Sequence, residues 1–202
     1  MQNYDSDMGG FSKAPKFPQA VNFNFLFTFY AANPKDDKAK QGLKMALHTL
    51  DMMARGGIHD HISQGFSRYS TDANWHVPHF EKMLYDQAQL SVAYSYAYQA
   101  TKEEFFSTIV EDILTYVKRD LGHPLGPFYS AEDADSKANE SDDHKREGAF
   151  CVWTHQQLSM LLKKHTFQGN DQKEHNLLEV CEAYFKAKPG GNVDPCPRGS
   201  SW

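Results

Sequence analysis

Two clusters of side chains in this sequence have the composition that proton-transfer chemistry needs. The first lies in residues 65–87 and carries Arg68, Asp72, Trp75, His76, His79, Glu81 and Asp86. The second is Glu132, Asp133 and Asp135. Histidines and carboxylates give and take protons near neutral pH, and two of them on opposite sides of a ligand form a general acid/base pair. His79, Glu81 and Asp133 are the candidates for that work. Arg68, Asp72, Asp86, Glu132 and Asp135 would hold polar groups of a ligand, while Tyr69, Trp75 and Trp153 offer flat apolar faces.

Each residue also has a plainer role. Pro78 suits the first position of a helix, because its missing N–H has no partner there and its φ is already helical. A helix beginning at Pro78 puts His79, Phe80 and Glu81 in the first turn, where unpaired N–H groups and the positive dipole end receive a polar ligand. Glu81 would complement that dipole by about 0.3–1 kcal/mol with no ligand at all. Lys82 and Asp86 stand four residues apart, the spacing of a surface ion pair. Arg68 and Asp72 can close their loop on each other, and residues 132–136 have the composition of a turn held by its own side chains.

Bulk properties narrow the classes. A net charge of −5 without a Lys/Arg cluster excludes a general nucleic-acid binder. The longest apolar run, residues 21–32, is broken by Asn22, Asn24 and Thr28 and is too short for a bilayer, so no membrane association is expected. Cys151, Cys181 and Cys196 form no CxxC pair and no disulfide framework, which favours a reducing compartment such as the cytoplasm. Residues 1–7 have neither the basic nor the apolar segment of a leader; one upstream of Met1 would make the protein secreted. His59, His61, His76 and His79 match no zinc spacing, and there is no GxSxG, phosphate-binding glycine loop or Cys–His nucleophile pair. Neither metal nor cofactor is expected.

Helices must position the first cluster. From Pro18 to Asn33-Pro34, the residues Val21, Phe23, Phe25, Leu26, Phe27, Phe29 and Tyr30 point all round a helical axis, as in a buried helix. Residues 36–55 gather Leu43, Ala46, Leu47, Leu50, Met53 and Ala54 on one face and end at Gly56-Gly57, as a surface helix does. The pattern then repeats. Residues 78–99 are apolar all round, and a helix opened by the capping-box spacing Thr101…Glu104 is apolar on one half. Two concentric layers of helices give this buried–surface alternation. An α/α toroid of helical hairpins is the expected fold, ahead of a plain helical bundle, with the 65–87 loop at its mouth. Residues 128–131 and 148–153 are predicted to be strands of a long β-hairpin with a charged tip at 139–146. Thr154 and Gln157 then cap a helix to about 164, and an amphipathic helix is expected near 173–187.

Four motifs carry a resemblance. They are Gly9-Gly10-Phe11…Ala14-Pro15-Lys16-Phe17-Pro18, Gly56-Gly57-Ile58…Gly65-Phe66-Ser67-Arg68-Tyr69-Ser70-Thr71-Asp72, Pro78-His79-Phe80-Glu81-Lys82-Met83-Leu84-Tyr85-Asp86-Gln87-Ala88, and Tyr129-Ser130-Ala131-Glu132-Asp133-Ala134-Asp135-Ser136…Glu147-Gly148-Ala149-Phe150. Together they closely resemble the spermatogenesis-associated protein 20 family over residues 3–190. Members of that family join an N-terminal thioredoxin-like domain to a six-hairpin α/α barrel like those of sugar epimerases and glycosidases. With two inner/outer pairs and part of a third, the chain reads as a fragment holding the first part of such a barrel over residues 1–187. An irregular tail follows over 188–202, and an apolar flank is left open.

Two functional readings follow from the resemblance. In the first, the chain is part of a carbohydrate-processing enzyme, with a sugar-like small molecule as ligand and a role in spermatogenesis. In the second, it is a non-catalytic helical scaffold or binding module that partners a thioredoxin-like redox domain in the full-length protein. Convergence of the acid clusters and His79 on one cleft favours the enzyme; dispersal into separate ion pairs favours the scaffold.

Overall fold

The computed structural model describes residues 3–193. They fall into two compact units, one from residues 3–137 with 143–148 and one from residues 138–142 with 149–193. The chain therefore divides near residue 148, where the sequence suggested one domain to 187. Cys196 and the closing run of residues 195–202 lie outside the described residues.

The first unit is two helical hairpins. Helix α1 spans Ala20–Ala32 and α2 spans Asp37–Arg55; α3 spans Leu84–Thr101 and α4 spans Glu104–Tyr116, which runs into a π-helical turn over Val117–Leu121. Short connections fold α1 onto α2 and α3 onto α4, and α1 also packs on α3. The first helices of the two pairs thus form the inner layer. Asp36 caps α2, its carboxylate accepting from the N–H groups of Lys38 and Ala39. The core joins Phe23, Phe27, Leu50, Met53, Ile58, Phe66, Trp75, Leu90, Tyr94, Phe106 and Ile113. Tyr94 donates its hydroxyl to the Leu50 carbonyl across the pairs at 2.8 Å.

The apolar character of the inner helices exceeds what the core uses. Val21 is 68% and Phe25 66% exposed on α1, and Tyr85, Val92, Tyr96 and Tyr98 are exposed on α3. The open apolar flank expected from the sequence is present.

Several local expectations give way. The helix foreseen from Pro78 begins at Leu84. Pro78 and His79 form strand β2, which pairs antiparallel with β1 (Tyr69–Ser70) in the register Tyr69↔His79. The φ of proline serves an extended strand as well as a helix, and long-range pairing decides between them. The Thr101…Glu104 capping box is absent: Thr101 ends α3, and Lys102 at φ 64° breaks the chain before α4. The long hairpin is also replaced. Ala131–Glu132 (β4) pairs with Lys82–Met83 (β3), and the true hairpin joins Asp135–Ser136 (β5) to Arg146–Glu147 (β6). Gly148 follows at φ 67°, lying against the Phe80 ring, and residues 148–151 turn instead of extending.

In the second unit the Thr154–Gln157 capping box forms and starts α5 (His155–Leu162). Thr166–Gln168 (β7) pairs with Glu174–Asn176 (β8), and α6 spans Leu177–Phe185, shorter than the 173–187 expected because its first residues are in β8. Residues 186–193 have no regular structure.

Gly65 shows how tightly the first unit closes around its loop. Its φ is 75°, and a Cβ there would lie 2.6 Å from the Tyr116 ring. Gly65→Ala is expected to cost at least about 2 kcal/mol, from left-handed strain and overpacking together, seen as a lower urea midpoint.

Candidate functional site

The site is built on the loop from α2 to α3. Gln87, fully buried on α3, grips Phe66 as a strand partner would: its Oε1 accepts from the Phe66 N–H at 2.9 Å and its Nε2 donates to the Phe66 carbonyl at 2.6 Å. The Ser67 N–H donates to the Ile58 carbonyl, and the Arg68 N–H to the Glu81 carbonyl. Tyr69 and His79, opposite each other on β1 and β2, stack with ring centroids 4.8 Å apart, and Phe17 lies on Tyr69 at 4.7 Å. Backbone pairing thereby sets Arg68, Tyr69, His79 and Glu81 side by side.

Their side chains form a chain of charges. Arg68 Nη1 donates to Glu81 Oε2 at 3.0 Å, that oxygen lies 3.9 Å from His79 Nε2, and His79 Nδ1 donates to Glu147 Oε1 at 2.6 Å. The imidazole is held between two carboxylates, and the side chains of His79, Glu81 and Glu147 are 25–37% exposed, within reach of a ligand. Asp86, in the first turn of α3, adds a third carboxyl. Its Oδ2 is buried and meets no hydrogen-bond donor. Burial pushes its pKa up to about 6, Arg68 opposes that, and Glu81 adds to it. A carboxyl with one oxygen buried and unpartnered, and with its pKa raised toward neutrality beside an Arg–Glu pair, is a recurrent feature of functional sites.

Asp86 gives a pH test with a definite sign. Its folded pKa lies above the unfolded value, so the folded state holds the proton longer. Its effect is absent below about pH 4, and stability falls as pH rises toward 6. Asp86→Asn is expected to raise the urea midpoint at pH 7 and leave it unchanged near pH 3.5.

The other candidates have different surroundings. Trp75 is fully buried at φ 60°, its Nε1–H donating to the Met8 carbonyl at 2.8 Å, so neither ring face is open to a ligand. Asp72 pairs with its own loop and not with Arg68: its carboxylate accepts from the N–H groups of Asn74, His76 and Val77. Burial pushes its pKa up, but those hydrogen bonds outweigh it and the net shift is down. Glu132 accepts from the Tyr116 hydroxyl at 2.7 Å. Asp133 is exposed, accepting from the Asp135 N–H and facing Lys145 at 3.6 Å, so it is no partner of His79. Asp135 is exposed on β5, and Trp153 belongs to the second unit. Lys82 ignores Asp86 and pairs with Asp60 at 2.8 Å.

Of the two clusters, then, the first converges in part and the second does not. Glu147 was missed as a site residue, although it opens the motif Glu147-Gly148-Ala149-Phe150. Among the described residues no group of three or more His, Cys, Asp or Glu is placed to hold a metal ion, and no helix is long and apolar enough to cross a membrane. A hollow of about 530 Å³ lies elsewhere in the unit, lined by Tyr4, Phe11, Gln19, Asn22, Phe25 and Leu26.

No family model matches the chain. Spermatogenesis-associated protein 20 of Homo sapiens is 46% identical over 200 residues, covering 98% of this chain and 25% of that protein. The Rattus norvegicus protein of the same name is 46% identical over 96% of this chain and 24% of its own length. The chain thus spans about a quarter of the length of these curated relatives. Among solved structures, cellobiose 2-epimerase from Bacillus thermoamylovorans superposes with a TM-score of 0.53 at 16% identity, over 65% of this chain and 36% of the epimerase. A sugar epimerase from a ruminal bacterium gives 0.52 at 15%, over 80% and 43%. At that identity the likeness concerns the fold alone, an α/α arrangement of helical hairpins of the kind expected from the helix pattern. Motifs and relatives agree: over nearly its whole length this chain is similar to spermatogenesis-associated protein 20, of which it spans about a quarter.

Proposed function

We propose that this chain supplies one wall of a sugar-binding site in an α/α-toroid protein, where His79 works as acid/base. Glu147 holds the imidazole through Nδ1, leaving Nε2 toward Glu81 and the ligand, the orientation a proton-transferring histidine needs. Glu81, fixed by Arg68, is the second proton-handling group, and Tyr69 and Asp86 complete the wall. One observation carries the reading: His79 lies between Glu81 and Glu147 in a fold shared with two sugar epimerases. The name of the mammalian relatives adds a role in spermatogenesis.

Calorimetry with a panel of mono- and disaccharides on a full-length relative carrying this segment tests the proposal. Binding of at least one sugar is expected, lost on His79→Ala. No heat with any sugar, or binding indifferent to His79→Ala and Glu81→Ala, would sink it. The same ion pairs also serve the alternative, a non-catalytic scaffold or binding module beside a thioredoxin-like domain, and that reading takes over if binding is absent.

A further inference from the structure

We infer that the His79 site takes a neutral or amino sugar and rejects sugars bearing phosphate or carboxylate. The inference rests on the sugar-binding reading above and adds the charge class of the ligand.

The basis is an inventory of charge around His79. Three carboxyl groups, Glu81, Glu147 and Asp86, share this region with Arg68. Arg68 is partly neutralised: its Nη1 is on Glu81 at 3.0 Å and it interacts also with Tyr85, so this single cation is set against three carboxyl groups. The neighbouring cations are turned elsewhere. Lys82 is buried on Asp60 at 2.8 Å and on the Gln64 carbonyl. Lys16, whose backbone pairs with Ser70, is buried on Asp5 at 2.7 Å and on the Ala73 carbonyl. Lys145 faces Asp133. Arg146 precedes Glu147 in β6, and successive side chains of a strand point to opposite faces. Apart from the exposed part of Arg68, no lysine or arginine in this inventory is turned toward a ligand anion.

Backbone donors do not reverse that balance. The start of α3 follows β3 closely in the chain and would ordinarily attract an anion. Its own first turn carries Asp86, and the Leu84 N–H is spent on the Ser130 carbonyl at 2.9 Å. An anionic ligand would therefore meet more carboxylates than cations, while sugar hydroxyls or an ammonium group would find acceptors in Glu81 and Glu147. Like-charge rejection in a partly buried site is worth about tenfold or more in affinity.

Calorimetry on the full-length relative at pH 7.5 compares cellobiose, glucosamine, glucose 6-phosphate and glucuronate. The neutral or the amino sugar should bind, and both anionic sugars should bind at least about tenfold more weakly. Raising the salt should weaken only the amino sugar. Glu147→Gln, which keeps a hydrogen-bonding partner for His79, should narrow the gap between neutral and anionic sugars. An anionic sugar binding as well as the neutral one overturns this inference and leaves sugar binding standing. Absence of binding by all four, when other sugars also give no heat, overturns both.

Discussion

Trp75→Ala is expected to lower the free energy of unfolding by about 3–5 kcal/mol, the range for truncating a buried large aromatic. Trp75 is fully buried in the core that joins the two helical hairpins, its Nε1–H is spent on the Met8 carbonyl, and Lys16 Nζ lies 5.0 Å from the ring centroid. The carbonyl of Trp75 accepts from the Ile58 N–H, and Gly56 and Gly57 are small because residues 75 and 76 press against them. Truncation would empty the pocket, leave the Met8 carbonyl unpaired and loosen the α2–α3 loop. Urea unfolding followed by circular dichroism measures the effect as a lower midpoint at constant slope. Trp75→Phe should keep much of the packing and lose the hydrogen bond, falling between wild type and alanine. An unchanged midpoint for Trp75→Ala, with sugar binding lost, would return this residue to the role of a ligand platform.

That reversal shows where sequence patterns carry information and where they stop. The four main helices are legible because each repeats its apolar signal over several turns; even the lack of a polar side on α1 and α3 identifies the inner layer. Strand pairs of two residues hold no comparable signal. Tyr69–Ser70 and Pro78–His79 are paired because Lys16 bridges Ser70 and because Gln87 and Glu81 fix the chain between them. Those contacts reach across the sequence, so a local reading takes Pro78 for a helix start. Capping shows the same contrast. Thr154–Gln157 is capped within itself and was readable, whereas the fate of Thr101 depended on where α3 chose to stop.

The site follows the same logic. His79, Glu81 and Arg68 were visible as reactive types within one short stretch. Glu147 becomes a partner of His79 only when β5 and β6 pair, across a separation of 68 residues. Conversely, Asp72, Glu132 and Asp133 have reactive side chains but are satisfied by nearby N–H or O–H donors. Type and proximity along the chain identified the proton carriers; the pairing of short strands decided which of them meet.

Lys82 brings the second large effect. Its Nζ sits against Asp60 Oδ2 and the Gln64 carbonyl, both at 2.8 Å, and 4.6 Å from the centroid of the Tyr116 ring, with a side chain only 6% exposed. Asp60 in turn accepts from the Ile62 and Ser63 N–H groups and shapes the turn leading to Gly65. Lys82→Ala strands a largely buried carboxylate and is expected to cost about 3–5 kcal/mol. Burial pushes the Asp60 pKa up, but the Lys82 charge and its hydrogen bond, with the two N–H groups, bring it below the usual carboxylate range. A depressed pKa contributes stability that is complete above the unfolded value near 4 and is lost as pH falls through the folded value. The deficit of Lys82→Ala should therefore be largest at pH 7 and shrink toward pH 3, as the Asp60 carboxyl that has lost its lysine takes up a proton. Adding Asp60→Asn to Lys82→Met removes both charges and should recover part of the loss, because the stranded carboxylate is gone. A deficit equal at both pH values, or a double variant no better than Lys82→Ala, would mean that packing of the lysine stem on Tyr116 outweighs the ion pair.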